Sequence, residues 1–359
     1  MIQIDEPFHG AVLGHRHGVQ DESGLTIEVR GRAPVDKPVR VNGAEAQRAG
    51  DRFTAELTLT EREQDITAVC DEGLGRMEHT VRVVWDRNSR PRYRFSIDDN
   101  SFWLRDVARE GYDSLFDCFY LAILRDLNEK YGAKFTLNIY CEADDGWQIT
   151  DFPERYRGEF EDNAHWMVLA FHAWSDKPDR PYQFTPPQKV IEDLEAVNEQ
   201  IVRFAGERTL APPTVIHWGF VVPEALPLLY EHGVRVLSGS GRMASWGRDV
   251  NYWLEPARSE WLARNEALKD FDSGIVFSKG DITCNNVPKQ EIVPHLERVA
   301  SDPRQAEIMD LFTHEQYFWP FYRRYIPDHG ERLDEAIRWV TEHGYEPVFF
   351  HEGFLGIEP

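Results

Sequence analysis

The period of the hydrophobic pattern changes once along this chain, near residue 90, and that change limits the folds open to it. Before it, apolar residues alternate with polar ones in short runs: Leu25-Thr26-Ile27-Glu28-Val29, Val39-Arg40-Val41 ahead of Asn42-Gly43, Phe53-Thr54-Ala55-Glu56-Leu57, Ile66-Thr67-Ala68-Val69 and Val81-Arg82-Val83-Val84. A period of two, β-branched enrichment and turns every ten or so positions predict a small antiparallel β-sandwich over residues 1–90. The polar stretch 86–91, which ends in proline, reads as the linker that closes this domain.

Residues 91–359 follow another rule. Apolar runs that read as strands fall at 93–97, 134–140, 166–171, 214–218, 234–237, 308–312 and 347–350, and helical periodicity marks 112–130, 187–204, 224–231 and 331–343. Strands separated by helices of this length build parallel sheets, and this many units predict a (β/α) barrel. No repeat or low-complexity tract interrupts the pattern.

The length of 359 residues, with 42% hydrophobic and 13% aromatic residues, suits two packed cores, one of them large enough for an enzyme. Acidic residues outnumber basic ones by 62 to 40, so the surface repels a phosphate backbone and nucleic acid is not an expected partner. No run approaches the roughly 18 to 20 apolar residues of a membrane span. The start, MIQIDEPFHG, has neither a basic nor an apolar leader region. The chain as given reads as cytoplasmic, or as exported if its N-terminus has been trimmed. Cys70, Cys118, Cys141 and Cys284 form no CxxC pair and are expected as free, mostly buried thiols, with a single disulfide left open.

In an α/β fold of this kind chemistry collects at the C-terminal ends of strands, so the polar residues directly after each apolar run are the candidates. Arg94-Phe95-Ser96-Ile97 ends in Asp98-Asp99, and Met167 to Phe171 ends in His172, with Asp176 four positions on. Ile275-Val276-Phe277 leads to Asp281, and Ile308 to Phe312 ends in Thr313-His314-Glu315. Carboxylates and a histidine arriving at one rim can hold a divalent cation and still leave an acid and a base free. Singly each has a plainer explanation: an Asp-Asp pair as a helix N-cap or turn, His172 as a hydrogen-bonded core histidine, Asp176 as a solvated loop residue, His314-Glu315 as a packed cap. Their joint order along the chain is what carries weight.

In that order, residues 92 to 352 resemble the polysaccharide deacetylase family, metal-dependent carbohydrate esterases on a distorted seven-stranded (β/α) barrel. Phe95-Ser96-Ile97-Asp98-Asp99-Asn100 is similar to its first motif and His172-Ala173-Trp174-Ser175-Asp176 to its second, where a second histidine normally stands at the Asp176 position. Ile216-His217-Trp218-Gly219-Phe220 falls at the third motif without its usual Arg-Pro-Pro-Tyr-Gly, and Asp281 matches the fourth loosely. Ile308 to His314 and the run His343-Gly344-Tyr345 to Phe350 look like the last, a strand, a histidine, a helix, a glycine and a terminal strand.

The resemblance implies a fold class of α/β, a distorted (β/α)7 barrel preceded by an immunoglobulin-like all-β sandwich. It implies one divalent metal, zinc by expectation, held by Asp99, His172 and Asp176. Asp98 would be the general base, His314 the general acid and Asp281 the carboxylate that tunes the base. Trp174, His217, Trp218 and Tyr317 are the expected substrate contacts, while His351 and Glu352 stand as outsiders at the same rim.

Trp103, Trp147, Trp246 and Trp319 also fall in or beside strand-end loops, where ring faces suit a sugar. The acidic segments 144–145 and 159–162 read as a solvated face, with a cationic or amino-sugar substrate as the sharper alternative. The expected partner is a carbohydrate or acetylated amino-sugar substrate, from which an acyl group is removed. A homo-oligomer stays open. Three other functions compete: a carbohydrate-binding barrel without turnover, a metal-free C–N hydrolase, and a glycosidase using two carboxylates such as Asp98 and Asp281.

Overall fold

The computed structural model describes residues 1–35, 37–72, 75–239 and 251–352. The chain divides into two compact units, Met1–Ser89 with Ala267–Phe271, and Arg90–Glu266 with Asp272–Pro359. The sequence offered no sign that 267–271 would group with the first unit. Lys269 N–H donates to the Gly10 carbonyl (2.7 Å), Leu268 bridges Ala11, and the Phe271 ring meets His9 and the Arg82 guanidinium.

The first unit is all β. One sheet runs Gln3–Glu6, Gly24–Arg32, Arg52–Leu59, Gln47–Ala49, with Val19–Asp21 also on Gly24–Arg32; the other runs Val12–Leu13, Gly75–Trp85, Glu63–Glu72, Val39–Val41, Ala44–Glu45. The alternation dictates which side is dry. Leu25, Ile27, Val29, Phe53, Ala55 and Leu59 are buried in the first sheet, and Val39, Val41, Ile66, Ala68, Val81 and Val83 in the second. Residues between them, such as Glu28 and Arg30, face water, as strands with one buried face require.

The second unit is mixed α/β. Its main sheet is parallel, in the order Met167–Ala173, Phe135–Tyr140, Arg92–Asn100, Ile308–His314, Ile282–Thr283, and Glu346–Pro347 adds to the start of Arg92–Asn100. Val236–Gly239 and Val276–Lys279 form a separate parallel pair. Among the described residues these remain distinct sheets. Main-chain contacts reach across one gap, where Leu169 bridges Leu210 and Ser238 N–H donates to the Thr214 carbonyl (2.7 Å), while Gly280 N–H to the Gly239 carbonyl (2.8 Å) extends the ladder of the separate pair.

Every residue of Phe135–Tyr140 and Met167–Ala173 is buried, as in parallel strands covered on both faces. The helices bury one stripe each: Tyr120, Leu121, Leu124 and Leu127 in Phe119–Tyr131; Val190, Leu194, Val197 and Ile201 in Pro187–Ala205; Leu333, Ala336, Ile337 and Val340 in His329–Glu342. Gly132 ends the first of these in the left-handed region at φ 69, which only glycine enters without strain.

The interior also holds charge. Arg94 Nε lies 2.5 Å from Asp310 Oδ1 and both side chains are buried; Arg94 Nη1 donates to Thr214 Oγ1 (2.7 Å), and Ser238 Oγ to Asp310 Oδ2 (2.6 Å). These hydrogen bonds support the buried ion pair, although Arg94 Nη2 has no hydrogen-bond partner among the described residues.

Among the described residues four helices lie outside the expected pattern, Phe102–Glu110, Arg157–Asn163, Pro256–Arg264 and Lys289–Ala300, the last with Pro294 inside it. Residues 214–218, expected as a strand, form none: the segment ends in the tight turn His217–Gly219. The terminal strand shrinks to Glu346–Pro347. All four cysteines are free and buried. No helix among the described residues is long and apolar enough to cross a membrane.

Candidate metal centre

Asp98 and Asp99 lie near the end of Arg92–Asn100, His172 near the end of Met167–Ala173, and His314 closes Ile308–His314. Two ladder irregularities aim the first ligands. Pairing passes from Ile97↔Leu137 to Asn100↔Ile139, so Asp98 and Asp99 together face Asn138 alone. Pairing then passes from Ile139↔Phe171 to Tyr140↔Ala173, which leaves His172 as an extra residue. An extra residue bends a strand locally and re-aims its side chains.

Asp99 takes φ 62, a left-handed conformation that aspartate tolerates better than most residues. Asn100 secures the bulge: its Nδ2 donates to the carbonyls of Ile97 (2.6 Å) and Asn138 (3.1 Å), and its Oδ1 accepts from the Tyr120 hydroxyl (2.8 Å) and the Trp103 indole (3.1 Å).

The third donor is His217. It opens a turn in which Trp218 (φ 65) and Gly219 (φ 69) are both left-handed, so the chain reverses and the imidazole points inward. Tyr252 ties the turn down, its hydroxyl accepting from Ile216 N–H (3.4 Å) and donating to the Ser238 carbonyl (2.9 Å).

Asp99 Oδ1 lies 3.2 Å from His172 Nε2 and 3.3 Å from His217 Nδ1, and the two ring nitrogens are 3.1 Å apart. Donors about 2.0–2.1 Å from a tetrahedral cation stand roughly 3.3 Å from one another, so this triad has the spacing of half-assembled zinc coordination. The outer atoms are engaged as such a site requires. His172 Nδ1 lies 3.1 Å from the Val215 carbonyl, which holds a hydrogen on that nitrogen and leaves Nε2 as the one that would face a cation. Gln316 Nε2 donates to Asp99 Oδ2 at 2.7 Å, leaving Oδ1 as the inner oxygen. Asp176 Oδ1 sits 3.6 Å from His217 Nε2, a carboxylate behind an imidazole. The Tyr140 hydroxyl donates to Asp99 Oδ1 and lies 3.0 Å from His217 Nδ1.

The electrostatics agree. Burial acts to raise the Asp99 carboxyl, yet hydrogen bonds from His172 and His217 and the nearby His314 hold it well below the ordinary carboxylate value. Burial acts to lower His217, but Asp176 and Asp99 outweigh it and raise the imidazole to about 9. The hydrogen bond to His217 leads the causes that lower Asp176. Three acidic or basic groups thus share charge where a cation would stand.

The structure therefore brings Asp99 and His172 together as expected and adds His217, which the sequence had assigned to substrate, while Asp176 supports His217 from behind. Asp98 is buried beside them, its Oδ1 accepting from Asn138 Nδ2 at 2.7 Å. His314 is the in-register neighbour of Asp98 on the adjacent strand.

Asp281 is not at this rim. Its Oδ2 accepts from Asp310 N–H (2.8 Å), and Oδ1 lies 2.7 Å from Lys279 Nζ. Asp310 pairs with Arg94, four positions before Asp98, about 13 Å down the strand. His351 and Glu352 also lie elsewhere: Glu352 reaches Lys134 (3.2 Å), which precedes Phe135–Tyr140 at the end remote from the site. The cause is the short terminal strand, which pairs with Arg92 and Tyr93 at their starting end.

Of the expected substrate contacts, Trp218 is 41% exposed, with its ring 6.0 Å from that of His217 and the Arg180 guanidinium over its face at 5.4 Å. Trp174 is half-buried under Lys189, and Tyr317 lies 6.1 Å, ring to ring, from His314. Trp103 and Trp319 are buried, and Trp246 lies outside the described residues.

Glu315, read from the sequence as a packed cap beside His314, does cap, but at a helix far away in the chain. Its oxygens accept from the N–H groups of Ser101 (2.7 Å), Phe102 (2.9 Å) and Trp103 (2.6 Å) and from the Trp319 indole (2.9 Å). It caps the helix Phe102–Glu110 from across the sheet, beside the Asp98-Asp99 bulge. Its place directly after a strand end was the available signal.

No family model matches the chain, and no curated protein matches it. Solved structures give weak likenesses. The 4-alpha-glucanotransferase of Thermococcus litoralis aligns at 12% identity over 76% of this chain and 41% of its own, with a TM-score of 0.48. Fibronectin(III)-like modules of Clostridium thermocellum CbhA align at 18% identity over 28% of this chain and 57% of theirs, TM-score 0.19. An engineered protein aligns at 20% identity over 24% and 20%, TM-score 0.18. This chain thus spans less than two thirds of each, and at TM-scores this low none of the three bears on its fold or activity.

Proposed function

We propose that the second unit is a metal-dependent hydrolase of the polysaccharide deacetylase type, which removes an acyl group from a carbohydrate. The observation that carries this reading is the convergence of Asp99, His172 and His217 beside two further proton-transfer groups, Asp98 and His314. The donor set of one carboxylate and two imidazoles fits zinc, with the second nitrogen of His172 anchored on a carbonyl and that of His217 facing a carboxylate. A divalent cation bound there acidifies water and withdraws charge from an acyl carbonyl.

The chain's own residues supply the rest. Asp98, oriented by Asn138, takes the proton from the attacking water. His314, once it carries a proton on Nε2 as well as on Nδ1, delivers the Nε2 proton to the departing oxygen or nitrogen. Trp218 offers a ring face to the sugar beside His217.

The finer fold belongs to the same proposal. We read segment 209–214 as a seventh strand position, joining Leu169 on one side and Ser238 on the other, so that the two parallel sheets complete a distorted ring.

Acyl release from a panel of O- and N-acetylated sugars, with the zinc-loaded protein, tests the function. Asp98→Asn and His314→Ala should each lower kcat by about 10²- to 10⁴-fold with the metal retained. Absence of acyl release with every member, or rates in both variants equal to the parent's, contradicts the proposal.

A further inference from the structure

His314 can serve a proton transfer only through the nitrogen it presents to the cleft, and its neighbours decide which nitrogen that is. His314 Nδ1 lies 2.9 Å from Asn285 Oδ1. The orientation of that amide follows from its other contacts: Nδ2 donates to Asn286 Oδ1 at 2.9 Å, and Oδ1 lies 3.1 Å from Thr313 Oγ1. An amide oxygen only accepts, so Nδ1 of His314 carries a hydrogen.

The polarity of this chain is set one step further back. Thr313 Oγ1 lies 2.8 Å from Nε2 of His329. His329 is 1% exposed, and burial pushes its pKa down to about 3, so the ring is neutral with a single N–H. Its Nδ1 has no hydrogen-bond partner among the described residues. A hydrogen on Nδ1 would be a buried orphan donor, costlier than an unfilled lone pair. The hydrogen therefore sits on Nε2 and is donated to Thr313 Oγ1. The Thr313 hydroxyl then donates to Asn285 Oδ1, which also receives His314 Nδ1–H.

We propose that Asn285 is the positioning residue of the site. It holds His314 in the Nδ1–H tautomer with Nε2 turned to the cleft, and the buried pair His329–Thr313 keeps the amide oxygen facing that way. The partner is neutral, so Asn285 gives the imidazole orientation without the charge that a carboxylate would add. The benefit to catalysis rests on the hydrolase reading above; the tautomer does not.

The test reads the tautomer directly. The full chain carries 13 histidines, and two-bond ¹H–¹⁵N correlations on histidine-labelled protein distinguish Nδ1–H from Nε2–H rings, with the His314 signals assigned by their loss in His314→Gln. The expected result is Nδ1–H for neutral His314 in the parent and in the conservative Asn285→Asp, Nε2–H for His329, and a shift of His314 toward Nε2–H in Asn285→Leu. Should Asn285→Leu fail to fold, the parent alone decides between the two tautomers. Nε2–H at His314 in the parent, or an unchanged tautomer in folded Asn285→Leu, overturns the proposal. No turnover enters this measurement, so an inactive but correctly tautomeric protein would sink the hydrolase reading and leave this one standing.

Discussion

Asp98 and His314 face each other directly across two adjacent parallel strands, in register. The two proposed proton-transfer groups are therefore set by one rigid ladder rather than by mobile loops. Four positions earlier the same ladder pairs Arg94 with Asp310. Because a slip of one residue turns every side chain to the opposite face, this buried ion pair also holds the register on which the site depends.

Asp310→Ala should accordingly destabilise the protein by about 3–5 kcal/mol, since it strands the Arg94 guanidinium in the interior. The double variant Arg94→Met/Asp310→Ala should lose clearly less than the single variants Arg94→Met and Asp310→Ala combined. Urea titrations of the four proteins in a double-mutant cycle measure this, and additive losses would show that the pair is not coupled.

Glu315→Ala removes one acceptor from four donors at the start of the helix Phe102–Glu110. A loss of about 3 kcal/mol is expected, from three exposed-to-nothing backbone N–H groups and an indole N–H. In a unit of this size that lowers Tm by roughly 6–12 °C, readable by calorimetry. A shift of under about 2 °C would mean that water replaces the carboxylate.

Stability should also depend on two buried acids away from the site. Burial raises Glu266 to about 8 against the N–H groups of Ile308 and Glu307, and raises Asp281 to about 6 against Lys279. A raised acid binds its proton more readily in the folded chain, so its contribution is full below the ordinary carboxylate range and is lost as pH rises through the folded value. The chain should weaken between about pH 5 and pH 8, and Glu266→Gln should flatten that slope by on the order of 1 kcal/mol. Denaturation midpoints across that range decide it, and equal slopes in parent and variant would remove Glu266 from the account.

Much of the site was legible because strand ends carry it. Asp98, Asp99, His172 and His314 each directly follow an apolar run, and a run's end is visible in a sequence. His217 was visible too, but its segment was taken for a strand, and a strand would not have reversed the chain at Trp218 to send the imidazole inward. Asp281 misled for the converse reason: it follows a short strand, yet that strand ends level with Asp310 rather than His314. Glu315 and Asn285 act across the sheet on residues far away in the chain, and no periodicity reports such contacts. The β-sheet unit was readable from alternation alone, apart from 267–271, whose main-chain bond to Gly10 leaves no trace in side-chain type.

Metal affinity should rise with pH. His217, raised to about 9, carries a proton that a cation must displace, so each unit of pH below that value weakens apparent affinity by up to tenfold. Zinc titrations in buffers of different ionisation heat should report proton release at about pH 7 and little above pH 9. Release that does not change with pH would mean that His217 is not displaced.

The most direct test of the central claim is zinc content and affinity in the parent, His217→Ala and Asp176→Ala, measured side by side. One zinc per chain in the parent, loss of it in His217→Ala, and retention with about 10- to 100-fold weaker affinity in Asp176→Ala is the predicted result. Retention in His217→Ala with loss in Asp176→Ala, or no zinc in the parent, would contradict the triad of Asp99, His172 and His217.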